Sequence, residues 1–276
     1  MEKSAGRADP SCPSQSNPSI QIDGAFNVRG LGGYPSTISP KAAIREGIIY
    51  RSGHLSDVTS AGWDSFRAMG VSTVIDLTSP GEVEVFTGEM DKTFSPAGIE
   101  TLHLPFKQGV FSMERQVLKY QQYRTAGPEA IARGYMGLLE VGAAVIKRIL
   151  EHFRDNPQGA CLIHCAMGKD RTGVIIALLL SLAGVPNDII QDEFSLSEPH
   201  LEHLQPRIAD IVRSIDPGED NRFEIARLAT ECRKDVMGIT LQLIEEKYGG
   251  IGQYAQDNCG LSSSDINLIK ESLLAL

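Results

Sequence analysis

The middle of the chain places the tightest limit on its fold. Two apolar runs, Ala160-Cys-Leu-Ile-His164 and Val174-Ile-Ile-Ala-Leu-Leu-Leu180, flank a polar segment that carries Gly168 and Gly173. The first run has the length of a buried strand, and the second, with its flank to Val185, reads as a buried helix. Ser181 and Gly184 interrupt it, so it falls short of the roughly 20 residues that a membrane span requires. A strand passing through a short glycine-bearing loop directly into a helix is the unit of an α/β sheet, where sites form beyond the carboxyl ends of strands. The chemistry is therefore expected just after His164.

The rest of the chain supplies the other layers. Gly30, Gly32 and Gly33 mark a turn-laden entry loop. Residues 48–50 read as a short strand, Thr59 as the cap of a helix over 60–69 with Gly70 as its stop, and β-branched residues 71–77 as a buried strand. A third strand is expected at 101–106. Ile131, Tyr135, Leu138, Val145, Ile149 and Phe153 recur near helical spacing over 129–154. Beyond Pro186, helices are expected at 188–196, 204–215, 223–247 and 263–274. Strands separated by helices predict an α/β fold, a mainly parallel central sheet flanked by helices, with a helical C-terminal part over 187–276.

Residues 1–19 are polar and broken by Pro10, Pro13 and Pro18, and read as a disordered tail ahead of a single domain over 20–276. Residues 107–128 carry Val110, Phe111, Met113, Val117, Leu118, Tyr120 and Tyr123 among polar residues, a pattern that fits either an amphipathic lid or a core helix. No internal repeat or linker is evident.

Composition excludes several classes of function. A folded monomer of 276 residues buries roughly 73% of its unfolded surface, so no disulfide or metal staple is needed. The net charge of -9 disfavours broad adsorption to nucleic acid or anionic lipid, and an anionic substrate must meet a local positive site. The N-terminus has no apolar stretch of a secretory signal, and stable membrane insertion is not expected. Five cysteines without C-x-x-C spacing indicate neither a disulfide framework nor a zinc ribbon, and a reducing, cytoplasmic setting follows. His200 and His203 lie three apart without a third ligand of convincing spacing, so neither metal nor cofactor is expected.

The segment His164-Cys-Ala-Met-Gly-Lys-Asp-Arg-Thr-Gly173 carries the chemistry. Backbone N–H groups of Ala166, Met167, Gly168, Lys169, Asp170 and Arg171 can curl round a tetrahedral oxyanion at the start of a helix. Arg171 offers two parallel donors to a pair of phosphate oxygens. A helix N-terminus and nearby cations favour a thiolate at Cys165. Cys12, Cys161, Cys232 and Cys259 lack this context and read as packing.

This segment resembles the signature loop of cysteine-based protein tyrosine phosphatases, and its Gly-Lys-Asp-Arg-Thr-Gly run is similar to the tyrosine/serine phosphatase subfamily of bacteria and fungi. Supporting matches are Asn27-Val-Arg-Gly-Leu-Gly-Gly33, Tyr50-Arg-Ser-Gly-His-Leu55, Val74-Ile-Asp-Leu77 followed by Ser79 and Glu82, and the stretch from Tyr248-Gly to Leu261. Gly30 stands where the family usually has Asp, and Thr78 where it usually has Arg. The resemblance implies a tyrosine-phosphatase-like fold of the dual-specificity type and metal-independent hydrolysis of phosphate monoesters through a cysteinyl-phosphate intermediate.

In that scheme Cys165 attacks, and Arg171 with the loop amides stabilises the transferring group. Lys169 adds a second cation for substrates with several phosphates. Thr172 is either a partner of the cysteine sulfur or an ordinary helix residue, and His164 orders the loop. The resemblance favours Asp170 as general acid, with Asp76 its competitor at a strand end. Arg29 and Arg51 are candidate contributors of positive potential, although surface arginine is the commoner state of such residues. Expected substrates are phosphotyrosine proteins, with phosphoserine, phosphothreonine or phosphoinositides beside them. A phosphatase or diphosphatase of a small metabolite or lipid, and a phosphate-binding module without turnover, are the competing readings.

Overall fold

The computed structural model describes residues 19–79, 82, 96–106 and 111–275. The expectation for the N-terminal tail falls, except at Ser19, outside these residues, as do residues 107–110 of the 107–128 segment. Seven short strands are described: β1 Arg29–Gly30, β2 Ala43–Ile44, β3 Ile49–Ser52, β4 Val71–Asp76, β5 Glu100–His103, β6 Ala160–His164 and β7 Leu274–Ala275. Five form the central sheet in the order β1-β3-β6-β4-β5. Only the β1–β3 pair is antiparallel; β3, β6, β4 and β5 run parallel.

Burial on both faces explains why these strands read as continuous apolar runs rather than alternating ones. Along β6, Ala160 and Leu162 point into a cluster with Trp63 and Phe66 of helix α1, Ser60–Ala68. Cys161 and Ile163 point the other way, into the larger core. Ile49 of β3 and Ile75 of β4 join that larger core, whereas Tyr50 and Val74 join the smaller one. The larger core is closed by α3, Pro128–Asp155, α4, Asp170–Leu182, and α8, Lys234–Tyr248. Between these lie α2, Met113–Ala126, α5, Asn187–Ser195, α6, Gln205–Ile215, and α7, Arg222–Thr230. Helices α9, Ile251–Asp257, and α10, Ser263–Leu273, complete the chain.

Local chemistry set most boundaries as the sequence indicated. Thr59 caps α1, its hydroxyl accepting from the Gly62 N–H, and Ser262 forms a reciprocal capping box with Asp265. The 223–247 helix is corrected by the structure: it breaks at residues 231–233 into α7 and α8. Glu231 is extended, and the carboxylate of Glu198 takes the Cys232 N–H at 2.8 Å, so a distant side chain satisfies a donor that a helix would otherwise hold. Helix α9 was not anticipated; a turn at Gly249 and Gly250, with φ of +72° and +94°, separates it from α8. The C-terminal helices pack back on the sheet layers. Tyr254 donates to the Leu139 carbonyl at 2.7 Å, and β7 pairs with β2. Among the described residues no helix is long and apolar enough to cross a membrane.

Candidate active site

The parallel register brings Ser52, His164 and Asp76 level at the carboxyl edge of the sheet. Residues 165–169 leave this edge as an irregular loop, and α4 starts at Asp170. Three consecutive loop carbonyls are tied from behind. The Ala166 carbonyl accepts from the His54 N–H at 2.9 Å, and that of Met167 from Asn27 Nδ2 at 3.0 Å. Gly168 O accepts from Asn27 Nδ2 at 3.3 Å and from the Arg51 guanidinium. A planar trans peptide points its N–H opposite to its C=O, so the N–H groups of Met167, Gly168 and Lys169 face the front. Among the described residues, the loop N–H groups from Ala166 to Lys169 donate to no protein acceptor. The loop presents a run of forward-facing N–H donors, an arrangement that fits an anion.

Gly168 is required for that shape. Its φ is +67°, and a Cβ there would lie 2.2 Å from the Ser52 carbonyl oxygen. Cys165, at the mouth of the ring, is 2% exposed. The Arg171 side chain donates to Leu77 O at 2.9 Å and forms a bidentate pair with the Glu82 carboxylate. Burial by itself would lower its pKa, but Glu82, with the Cys165 and Asp170 charges, holds the guanidinium above its ordinary value. Glu82 Oε2 also accepts the Ser79 N–H at 2.9 Å, which fixes the carboxylate that aims the arginine.

The alternative that Arg29 and Arg51 are surface arginines is corrected by the structure. They are 1% and 0% exposed, and both bind Glu193, at 2.8 and 2.6 Å. Arg29 also donates to Asn27 Oδ1 at 2.5 Å and Ser197 Oγ at 2.8 Å. Asn27 sits at φ +56°, a left-handed conformation that asparagine tolerates. Burial first, then the Arg51 charge, lowers Arg29 to about 10 in spite of Glu193. The two arginines thus brace the back of the loop; Glu193 neutralises one of their two positive charges, and the other stays buried behind the loop. Sequence reasoning missed Glu193. Its signal was a carboxylate in the apolar stripe Ile190, Glu193, Phe194, where only a buried cation makes such a residue tolerable.

Asp170 sits in the first turn of α4 with one tyrosine on each oxygen: Tyr135 Oη lies 2.5 Å from Oδ1 and Tyr120 Oη 3.3 Å from Oδ2. Burial favours the neutral acid. Lys169, Lys119, the Tyr135 hydrogen bond and Arg171 outweigh it and hold the carboxyl below its usual range. Asp76 is engaged elsewhere, its Oδ1 accepting from the Thr78 N–H at 2.8 Å and hydroxyl at 2.6 Å. His164 Nε2 lies 3.5 Å from the same oxygen, and burial lowers the pKa of this imidazole. Thr172 Oγ1 is buried with no hydrogen-bond partner among the described residues.

The Lys169 ammonium is turned away from the expected role of a second phosphate cation. It is 3% exposed and donates to Ala229 O at 2.9 Å, at the C-terminal end of α7, where a positive charge meets the helix dipole. His200 and His203 belong to no described group of three or more metal-ligating side chains. In front of the loop opens a cavity of about 300 Å³ that reaches Cys165, Asp170 and Arg171. Its outer wall is mainly apolar: Val117 and Tyr120 of α2, Ile208 and Val212 of α6, and Ile225 of α7. Segment 113–126 is thus a helix that walls the cavity, and polar contacts tie it to its neighbours. Gln121 Nε2 lies 2.9 Å from Glu219, and Arg124 lies 3.6 Å from Glu224.

The loop and Arg171 lie at the carboxyl edge of a mostly parallel sheet, and similarity to known proteins gives the class: a hydrolase of the protein-tyrosine-phosphatase type. The group described as the tyrosine phosphatase family matches residues 20–275, and the chain belongs to this family. It is 26% identical to the triple specificity protein phosphatase PtpB of Mycobacterium tuberculosis, over 92% of this chain and 98% of that protein. It is 28% identical to a tyrosine-protein phosphatase of Nostoc commune, over 84% of this chain and 76% of that one. Among solved structures, P. aeruginosa TpbA aligns at 15% identity and a TM-score of 0.30, over 71% of this chain and 96% of that chain.

Proposed function

We propose that the protein hydrolyses phosphate monoesters in two steps through a cysteinyl-phosphate intermediate. The observation that carries this reading is the ring of forward-facing loop amides around Cys165, closed by the Glu82-aimed Arg171. In the first step the Cys165 sulfur forms a bond to phosphorus as the ester P–O bond breaks. The electron pair goes to the leaving oxygen, which takes a proton from Asp170. In the second step water attacks phosphorus, returns a proton to Asp170, and the thiolate leaves. Amides and guanidinium stabilise the equatorial oxygens throughout. The unpartnered Thr172 hydroxyl supports a role as donor to the departing sulfur.

The apolar cavity wall suits the ring of phosphotyrosine, and its volume of about 300 Å³ leaves room for other leaving groups. Together with the triple specificity in the name of the M. tuberculosis relative, this supports more than one substrate class, for which phosphoserine, phosphothreonine and phosphoinositides are the candidates beside phosphotyrosine. The buried thiols Cys161, Cys165, Cys232 and Cys259 are all free, which supports work in a reducing, cytoplasmic compartment.

Purified Cys165→Ser should bind a phosphotyrosine peptide with affinity near that of wild type and turn over none of it. Turnover comparable to wild type removes Cys165 as nucleophile. Wild-type activity should persist in excess chelator; reversible loss, with zinc or magnesium restoring it, would replace the cysteine mechanism with a metal one.

A further inference from the structure

The carboxylate of Asp170 is not simply present in the cavity; two phenols from two different helices hold it. Tyr135 of α3 meets Oδ1 at 2.5 Å, while Tyr120 of α2 meets Oδ2 at the longer 3.3 Å. An aspartate oxygen cannot accept a strong hydrogen bond along the direction in which it must present its own proton. Oδ1, with the short bond, is the anchored oxygen. Oδ2, with the weak one, is the oxygen free to carry a proton toward a leaving group.

We propose that Tyr120 and Tyr135 are positioning residues for Asp170: Tyr135 fixes the carboxyl plane through Oδ1, and Tyr120 shares Oδ2 with the transferring proton. The inference deepens the reading of Asp170 as general acid and rests on it. During the first step the proton leaves Oδ2 for the ester oxygen, and the Tyr120 hydroxyl turns to donate to the carboxylate left behind. When water attacks in the second step, its proton goes to Oδ2 and the Tyr120 bond is given up again. No other proton donor enters and none is lost. Because Tyr120 belongs to α2, which also walls the cavity, the protonation of the acid is tied to the seating of that helix.

Other groups facing Asp170 bear on the same titration. Lys169 and Arg171 flank it on its own segment, Lys119 and Tyr123 face it from α2, and Cys232 from the turn after α7. The cations favour the carboxylate. The hydroxyls of Tyr120 and Tyr135 also donate to the charged form, so removing either raises the acid's pKa.

The test compares wild type, Tyr135→Phe, Tyr120→Phe and Asp170→Asn on an alkyl phosphate and on p-nitrophenyl phosphate, across pH, with thermal unfolding as a check of folding. General acid catalysis fails as pH rises and the acid loses its proton, so each Phe variant should move the basic limb of kcat upward, by about one pH unit for Tyr135→Phe. Below that limb, the Phe variants should lose several-fold more kcat on the alkyl than on the aryl substrate, because a basic leaving oxygen depends on an aimed acid. A folded Tyr135→Phe with the wild-type limb and equal losses on both substrates overturns the inference. So does a folded Tyr120→Phe with an unmoved limb, should Tyr135→Phe not fold. If Asp170→Asn itself loses activity equally on both substrates, the failure lies in the acid assignment.

Discussion

Replacing Glu193 with Gln tests whether the back of the loop is held by charge rather than by shape. The substitution preserves volume and one carbonyl oxygen but leaves Arg29 and Arg51, 1% and 0% exposed, facing an uncharged amide. Removing one partner from a buried ion pair costs about 3–5 kcal/mol, because the remaining charge stays desolvated. Here two cations lose one shared anion, and Arg29 is already lowered to about 10 by burial and by its neighbour. The expected loss is therefore at least about 3 kcal/mol, or roughly 6–12 °C in the unfolding midpoint for a chain of this size. Activity should fall as well, since Arg51 holds the Gly168 carbonyl whose peptide helps to aim the amide ring. Differential scanning calorimetry at neutral pH, with kcat measured well below the transition, reads both effects. The exposed Lys247–Glu140 pair is the control, and Glu140→Gln should leave the midpoint nearly unchanged. A Glu193→Gln midpoint within about 2 °C of wild type would show that the network contributes little and would refute the reasoning.

Gly168→Ala should lower kcat/KM by about 100-fold, because an added Cβ 2.2 Å from Ser52 O must shift the loop by close to 1 Å. A variant with near-wild-type kinetics would mean that the ring tolerates displacement. Lys169→Met should reduce activity on singly and multiply phosphorylated substrates by the same factor, since its ammonium serves the end of α7; selective loss on multiply phosphorylated substrates would return Lys169 to the phosphate. Burial lowers the pKa of His54, His152 and His164 below 6.5. The unfolded chain then takes up protons that the folded one refuses, so the unfolding midpoint should decline as pH falls through about 6.5. A flat midpoint between about pH 7.5 and 5 would contradict those burials.

Periodicity and turn chemistry alone determined the elements whose determinants are local. Thr59 and Gly70 bracket α1, and an apolar run bounded by glycine set β6 and α4 where they stand. Cys165, the loop amides and Arg171 are neighbours for the same reason: they lie within one strand-loop-helix segment, so no long-range contact is needed to bring them together. What the sequence left undecided depends on residues that meet across long separations. Whether Arg29 and Arg51 add positive potential at the site or lie on the surface stays open until Glu193 is seen beside them, 164 and 142 positions away. Lys169 reads as a phosphate ligand until α7 presents its carbonyls. The continuous pattern over 223–247 hides a break made by the Glu198 side chain on Cys232. On paper Asp170, inside the loop, and Asp76, at a strand end, compete for the same role, with the resemblance favouring Asp170. Only packing gives one of them Tyr120, Tyr135 and the cavity, and gives the other the Thr78 turn. Burying a charge is tolerable only with a partner, and a linear sequence does not say which distant residue that partner will be.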